Sequence, residues 1–387
     1  MTVQELQQAF VDAYGNKEDA IYFSPGRVNL IGEHTDYNGG PVFPCALSFG
    51  TYLLLRKNAS QEVNFRSLNE TKGFTVPLPE LTELLEKGAW ANYPVAVFDQ
   101  FLQKGIQFTE GFDILIWGNV PLGAGLSSSA ALEVVTAFAL NDQMATGYDR
   151  AELAKMGRKA EHKVGVMCGI MDQFVSAHGK KGHAVFLNCD TLEFELVPVK
   201  LEGIKVVISN THSPHKLDGG KYNERVAQCQ LALKQLQTVR PELKNLAELT
   251  QVEFDEIMAA ITDPVALKRA RHVVGEVQRT ADAVKELKAG NINKFGLLMN
   301  ASHDSLRDDY EVTGEFLDTL VEEARKIDGV IGSRMTGGGF GGCTVSLVKE
   351  EAIDAFKETV GAAYQAKTGL IADFYIAEIG DGAKKIN

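Results

Sequence analysis

Five of the six residues from Gly337 to Gly342 are glycine, the exception being Phe340. A regular helix or strand is not built from such a run, because each glycine costs backbone entropy and gives the core no side chain. The chain has to turn there, with bare backbone pressed close to something. The next residues, Cys343–Val348, are apolar and β-branched and read as a strand. Gly337, Gly339 and Gly342 fit the pattern G-x-G-x-x-G. That dinucleotide loop must follow a strand and open a helix. This one opens a strand, and the sequence gives no strong strand ahead of it, so a Rossmann site is not expected. A plain flexible hairpin also fits the run.

A second glycine-rich segment has the opposite setting. The apolar run Phe112–Trp117 reads as a strand. Asn119-Val120-Pro121-Leu122-Gly123-Ala124-Gly125-Leu126-Ser127-Ser128-Ser129 follows, and an apolar helix spans Ser129–Leu140. Two glycines let backbone approach an anion, and three serines stand at the positive end of a helix. The chain contains no G-x-x-x-x-G-K-[ST], so this is a phosphate cradle without a Walker lysine. The plainer alternative is a serine N-cap on a core helix.

A third segment, Ser24–Gly40, places Arg27, Glu33, His34 and Asp36 together between two strands. Acids beside an Arg and a His suit a ligand rich in hydroxyls; a polar surface loop with a local ion pair fits too. Asp172, in Gly169-Ile170-Met171-Asp172-Gln173-Phe174, lies in an apolar setting at an expected helix start. A buried acid usually has a purpose, although a structural ion pair would account for it. Tyr222, in Lys221-Tyr222-Asn223-Glu224-Arg225, reads from its residues as a packing tyrosine.

The remaining pattern is globular. Strands are expected near Ile21–Phe23, Val42–Phe49, Tyr52–Arg56, Ala184–Leu187, Val206–Ile208 and Phe374–Ala377. Helices are expected over Ala151–Lys163, Arg225–Leu236 and Pro264–Leu287. The mixture lacks a steady βαβ rhythm, which points to an α+β fold in two lobes, divided as 1–203 and 204–387. A net charge of −12 argues against a nucleic-acid partner. No apolar run is long enough to span a membrane. Five scattered cysteines, an odd number without a C-x-x-C pair, suit a reducing, cytoplasmic setting. The expected state is a monomer.

Together these segments resemble the GHMP small-molecule kinases, and Gly26-Arg27-Val28-Asn29-Leu30-Ile31-Gly32-Glu33-His34-Thr35-Asp36-Tyr37-Asn38-Gly39-Gly40 resembles the galactokinase branch of that family. Residues 90–93, 169–173, 221–225 and 334–343 carry the same likeness. The resemblance implies an N-terminal lobe similar to ribosomal protein S5 domain 2 and a ferredoxin-like C-terminal lobe, with the site between them. It implies phosphorylation of the C1 hydroxyl of galactose by ATP with Mg2+, the first step of galactose catabolism. Asp172 then matches the catalytic base and Arg27 the cation beside it. Glu33, His34, Thr35, Asp36, Gly169, Asp172 and Tyr222 match sugar ligands. Gly123, Ala124, Gly125, Leu126, Ser127, Ser128 and Ser129 match the ATP phosphate loop, with Ser67 and Trp90 near the adenosine end. Ser129 and Glu161 match the magnesium ligands. Against the family pattern the stretch from Glu161 to Gly169 is one residue short, and Met167 replaces an Asn. A continuous helix would then turn Glu161 by roughly 100° relative to Asp172; a loop would absorb the deletion.

Overall fold

The structure, a computed structural model, describes residues 1–121, 125–214 and 219–387. In chain order the strands are β1 (Ala20–Asn29), β2 (Pro41–Val42), β3 (Pro44–Asn58), β4 (Glu62–Ser67), β5 (Phe74–Pro77), β6 (Gly111–Gly118), β7 (His183–Asn188), β8 (Phe194–Pro198), β9 (Ile204–Asn210), β10 (Val330–Thr336), β11 (Cys343–Lys349), β12 (Asp373–Ala377) and β13 (Lys384–Lys385). The helices are α1 (Val3–Tyr14), α2 (Asn92–Gln103), α3 (Ser128–Gln143), α4 (Arg150–Val164), α5 (Met171–His178), α6 (Gly219–Leu236), α7 (Gln251–Ile257), α8 (Pro264–Lys288), α9 (Ile292–Ser305), α10 (Gly314–Ala324) and α11 (Ile353–Thr368).

The strands form a six-stranded sheet ordered β13-β1-β3-β6-β4-β5, a four-stranded sheet β10-β11-β9-β12 and a small sheet β2-β7-β8. Among the described strands only β4 and β6 pair in parallel. The strand period of two explains how the large sheet is covered on both faces. Ile21, Leu54 and Leu115 point one way, onto Leu6 and Phe10 of α1. Tyr22, Leu53, Leu55 and Ile114 point the other way, onto Val95 and Phe98 of α2 and Val135 and Ala139 of α3. Each such buried Leu or Phe contributes roughly 1.5–3 kcal/mol. β1 is buried along its whole length and ends against the second sheet. There the Asn29 carbonyl, two residues beyond Arg27, accepts from Arg334 Nη1 (3.1 Å) and Thr336 Oγ1 (3.0 Å).

Two expectations change. The glycine run is preceded by a strand after all. β10 pairs antiparallel with β11, Thr336 opposite Cys343, so residues 337–342 are a hairpin tip. β10 carries no apolar signature, because Ser333, Arg334 and Thr336 are buried polar residues. The dinucleotide reading stays excluded, since the loop joins two antiparallel strands. Next, Val42–Phe49 and Tyr52–Arg56 are not two strands. Val42 belongs to the small sheet, and β3 runs unbroken through Gly50. A Cβ at Gly50 would lie 2.1 Å from the Ser24 carbonyl oxygen, which is why a glycine interrupts an otherwise apolar strand. The chain passes into the second sheet at residue 204, and its last strand returns to the first. There β13 pairs with Tyr22 and Phe23. It covers what would otherwise be an open edge of β1.

Candidate active site

Asp172 lies in the first turn of α5 and Arg27 near the end of β1, 145 positions apart in sequence. The guanidinium grips the carboxylate with two bonds, Nε to Oδ1 and Nη2 to Oδ2, both 2.8 Å. Its third nitrogen, Nη1, donates to the Gly125 carbonyl at 2.8 Å. Burial pushes Arg27 toward losing its proton; the carboxylates of Asp172 and Glu33 outweigh that and raise its pKa. Ser127 Oγ donates a hydrogen bond to Asp172 Oδ2. Asp172 thus sits in a fixed orientation, paired with a permanent cation.

The sugar loop between β1 and β2 stands beside this pair. Glu33 is fully buried, and both its oxygens are taken. Oε2 accepts from Asn29 Nδ2 (2.7 Å); Oε1 accepts from Arg334 Nη1 (3.2 Å) and the Gly337 amide (2.8 Å). His34 adopts a left-handed backbone, φ 62°, and its Nδ1 lies 2.8 Å from the Tyr37 hydroxyl. Its Nε2 is buried and makes no well-formed hydrogen bond among the described residues, although the Gly338 backbone acts on it. Burial, then His272 and Arg225, push its pKa well below the usual imidazole range, so it is neutral. Asp36 faces the cleft with its pKa pushed up to about 7 by burial, then by Asp172 and Glu33. A Cβ at Gly169 would lie 1.9 Å from Asp36 Oδ2, so only glycine fits there. Tyr222, on α6, is buried with its ring 5.7 Å from that of His34. Thr35 is different: its hydroxyl points at the carbonyls of Gly32 (3.1 Å) and Pro41 (2.7 Å), shaping the loop instead of lining the cleft.

At the other end, Gly123 and Ala124 lie outside the described residues. Gly125, Ser127, Ser128 and Ser129 line a cleft of about 410 Å³ that also reaches Arg27, Asp172 and Tyr222. Leu126 does not line it; its side chain is buried in the core against Val120 and Val28, while its carbonyl accepts from the Arg27 amide (3.1 Å). Ser129 Oγ donates to Glu161 Oε1 at 2.8 Å. The stretch after Glu161 that the resemblance marks as one residue short is a loop: α4 stops at a left-handed Gly165, and α5 starts afresh at Met171. Glu161 therefore still faces Ser129. Burial, then Asp172, push its pKa up to about 7. Among the described residues no three His, Cys, Asp or Glu side chains form a metal site of their own. Ser67 and Trp90 line the far end of the cleft. Trp90 is fixed by its Nε1 bond to the Lys72 carbonyl (2.9 Å), and Ser67 Oγ accepts from the Asn69 amide (3.1 Å).

Comparison with known proteins matches this geometry to one family. The galactose-binding signature of galactokinases matches residues 8–57, the GHMP kinase N-terminal domain residues 92–180 and the GHMP kinase C-terminal domain residues 283–366. A galactokinase of Clostridium acetobutylicum is 49% identical over 100% of this chain and 99% of its own length. The chain belongs to the galactokinase family. A crystal structure of Lactococcus lactis galactokinase complexed with galactose superposes with a TM-score of 0.97 at 43% identity, covering 100% of both chains. The mevalonate kinase of Methanococcus jannaschii, 20% identical over 93% of this chain and 98% of its own, superposes at 0.66 and shares the fold.

Several residues that support this galactokinase-family site were not among the site residues expected from the sequence. Arg334, fully buried, ties Glu33 to the second sheet. Gln173 Nε2 donates to both Glu161 (2.6 Å) and Glu133 (2.9 Å), bracing the proposed metal ligand from behind. Tyr310 bonds the Tyr37 hydroxyl at 2.7 Å. Gln173, next to Asp172 in an apolar run, carried a usable signal: a buried amide demands partners. For Arg334 and Tyr310 nothing local named the partner, because Glu33 and Tyr37 are hundreds of positions away.

Proposed function

We propose that this galactokinase-family enzyme, an ATP-dependent sugar kinase, transfers the γ-phosphoryl group of ATP to the C1 hydroxyl of galactose, releasing galactose 1-phosphate and ADP. The observation that carries the reading is the bidentate Arg27–Asp172 pair. It lies in one cleft with the His34, Asp36 and Tyr222 side chains and with the serines that open α3. Galactose lies against His34, Asp36, Gly169 and Tyr222. Its C1 hydroxyl gives its proton to an Asp172 oxygen as C1–O attacks the γ-phosphorus, and the bond to the β-phosphate oxygen breaks to free ADP. Arg27 holds the Asp172 carboxylate through two hydrogen bonds and faces the charge that grows on the transferred group. Phosphoryl transfer asks mainly for such positioning and charge stabilisation.

The phosphates rest on the loop before α3, and the adenosine end extends toward Ser67 and Trp90. Ser129 and Glu161 fit a magnesium ion: both offer hard oxygen donors, and a buried carboxyl whose pKa burial pushes up to about 7 is stabilised as a carboxylate by a cation beside it. When bound, the ion supplies positive charge to the phosphate oxygens. The deciding experiment measures ADP release with ATP, Mg2+ and galactose, beside glucose, N-acetylgalactosamine and mevalonate. Turnover confined to galactose supports the reading. Turnover with none of them, while galactose and ATP still bind, would replace it with a sugar-sensing role.

A further inference from the structure

Ser127 stands at the N-cap of α3, where a serine normally turns its Oγ back to accept from a first-turn amide. Here it does not. Its backbone is left-handed, φ 62° and ψ 46°, and no side-chain capping bond forms. The same conformation is uncommon for a residue with a Cβ. It sends Oγ the other way, onto Asp172 Oδ2, where Arg27 Nη2 already donates. Ser127 is buried, with 7% of its surface exposed. Its neighbours in sequence behave differently: Ser128 is exposed to the cleft, and Ser129 turns to Glu161.

We infer that Ser127 is a positioning residue for the proton acceptor and not a phosphate ligand, an inference that rests on the role of Asp172 proposed above. Two consequences of one backbone conformation support it. Diverting Oγ leaves the first amides of α3 without a side-chain cap, so they remain open to an anion at the positive helix end. The diverted hydroxyl then completes a clamp on Asp172. Arg27 holds both carboxylate oxygens and is itself held by the Gly125 carbonyl; Ser127 holds Oδ2 from the other side of the same loop. The loop that carries phosphate and the carboxylate that takes the proton are thus tied at two points, Gly125 and Ser127. A shift of the loop is transmitted to the acceptor, and misplacements of about 1 Å cost up to roughly a hundredfold in rate.

The test compares Ser127→Gly with Ser127→Ala. Both remove the hydroxyl; only glycine accepts the left-handed backbone without strain. Steady-state kinetics, ATP affinity and Tm are measured on each. The expected result is a fall in kcat of roughly 10- to 100-fold in both variants. KM for ATP should change less than about threefold, and Ser127→Gly should keep the wild-type Tm. Wild-type kcat in Ser127→Gly with a loss only in Ser127→Ala would overturn the inference, showing that loop shape alone matters. A large rise in KM for ATP with kcat unchanged would overturn it in favour of a phosphate ligand. Asp172→Asn separates the two claims. If it keeps wild-type turnover, the acceptor assignment and this inference both fall. If it is inactive while Ser127→Gly turns over normally, only this inference falls.

Discussion

The two ends of the cleft are built on opposite plans. At the sugar end the protein satisfies the polar groups that shape the loop, while His34 Nε2 is left without a well-formed hydrogen bond among the described residues. Glu33 spends both oxygens on Asn29, Arg334 and the Gly337 amide, and Thr35 is bound into its own loop. At the phosphate end donors are left open, because the serine that could cap α3 points elsewhere. The difference follows from the ligands. A neutral sugar contributes little charge of its own, so its pocket must be held in shape before it arrives. A polyphosphate brings enough charge to pull open amides and a cation into place.

The comparison can be broken at its weakest points. The largest effect is expected where the two ends meet: Asp172→Asn should lower kcat by roughly 10²–10⁴-fold, the usual reach of general base catalysis. An effect under tenfold in the ADP-release assay would show that positioning alone drives the reaction. Arg334→Met should come next. It strands the fully buried Glu33, and breaking such a pair costs about 3–5 kcal/mol. Urea denaturation should show that loss together with weaker galactose binding; an unchanged midpoint would mean that the sugar end is not braced as described.

Gly169→Ala tests the same end more gently. The added methyl must displace the Asp36 carboxylate. KM for galactose should rise by about tenfold or more while KM for ATP holds, since only the sugar side is disturbed. Equal shifts in both would erase the distinction between the ends. The smallest effect is electrostatic. The Asp36 carboxyl keeps its proton in the folded chain up to about pH 7, whereas an unfolded chain releases it near pH 4. Its contribution to stability is therefore present below about pH 4 and is lost as pH rises toward 7. Asp36→Asn should be more stable than wild type at pH 8, with the gain shrinking toward pH 4. Glu161, pushed up in the same direction, leaves part of that slope in place. A gain that grew on acidification would reverse the sign of the argument.

Much of the fold and site could be read along the chain. Ala151–Lys163 and Pro264–Leu287 lie inside the helices observed, because apolar spacing of 3.6 residues survives as long as one face meets the core, and Ser129–Leu140 lies inside a helix that is apolar all round and buried. β10 could not be read that way, since Ser333, Arg334 and Thr336 are buried against polar partners, and polarity hides a buried strand. The shortened stretch after Glu161 shows the same limit from another side. Counting residues could not choose between a turned helix and a loop; the left-handed Gly165 at the end of α4 chose the loop.

Alone, the sequence determined which chemistry was available. It supplied an acid in an apolar helix start, an Arg and a His between glycines, and serines at a helix end, because local composition decides what a segment can bind. Tertiary structure decided which of those groups meet. Arg27 reaches Asp172 across 145 positions, Arg334 reaches Glu33 across 301, and Gly337 presses to within 2.9 Å of the Gly125 carbonyl as measured from an added Cβ. Such distances are fixed by how sheets and helices pack into a filled interior, and no short stretch of chain contains that information.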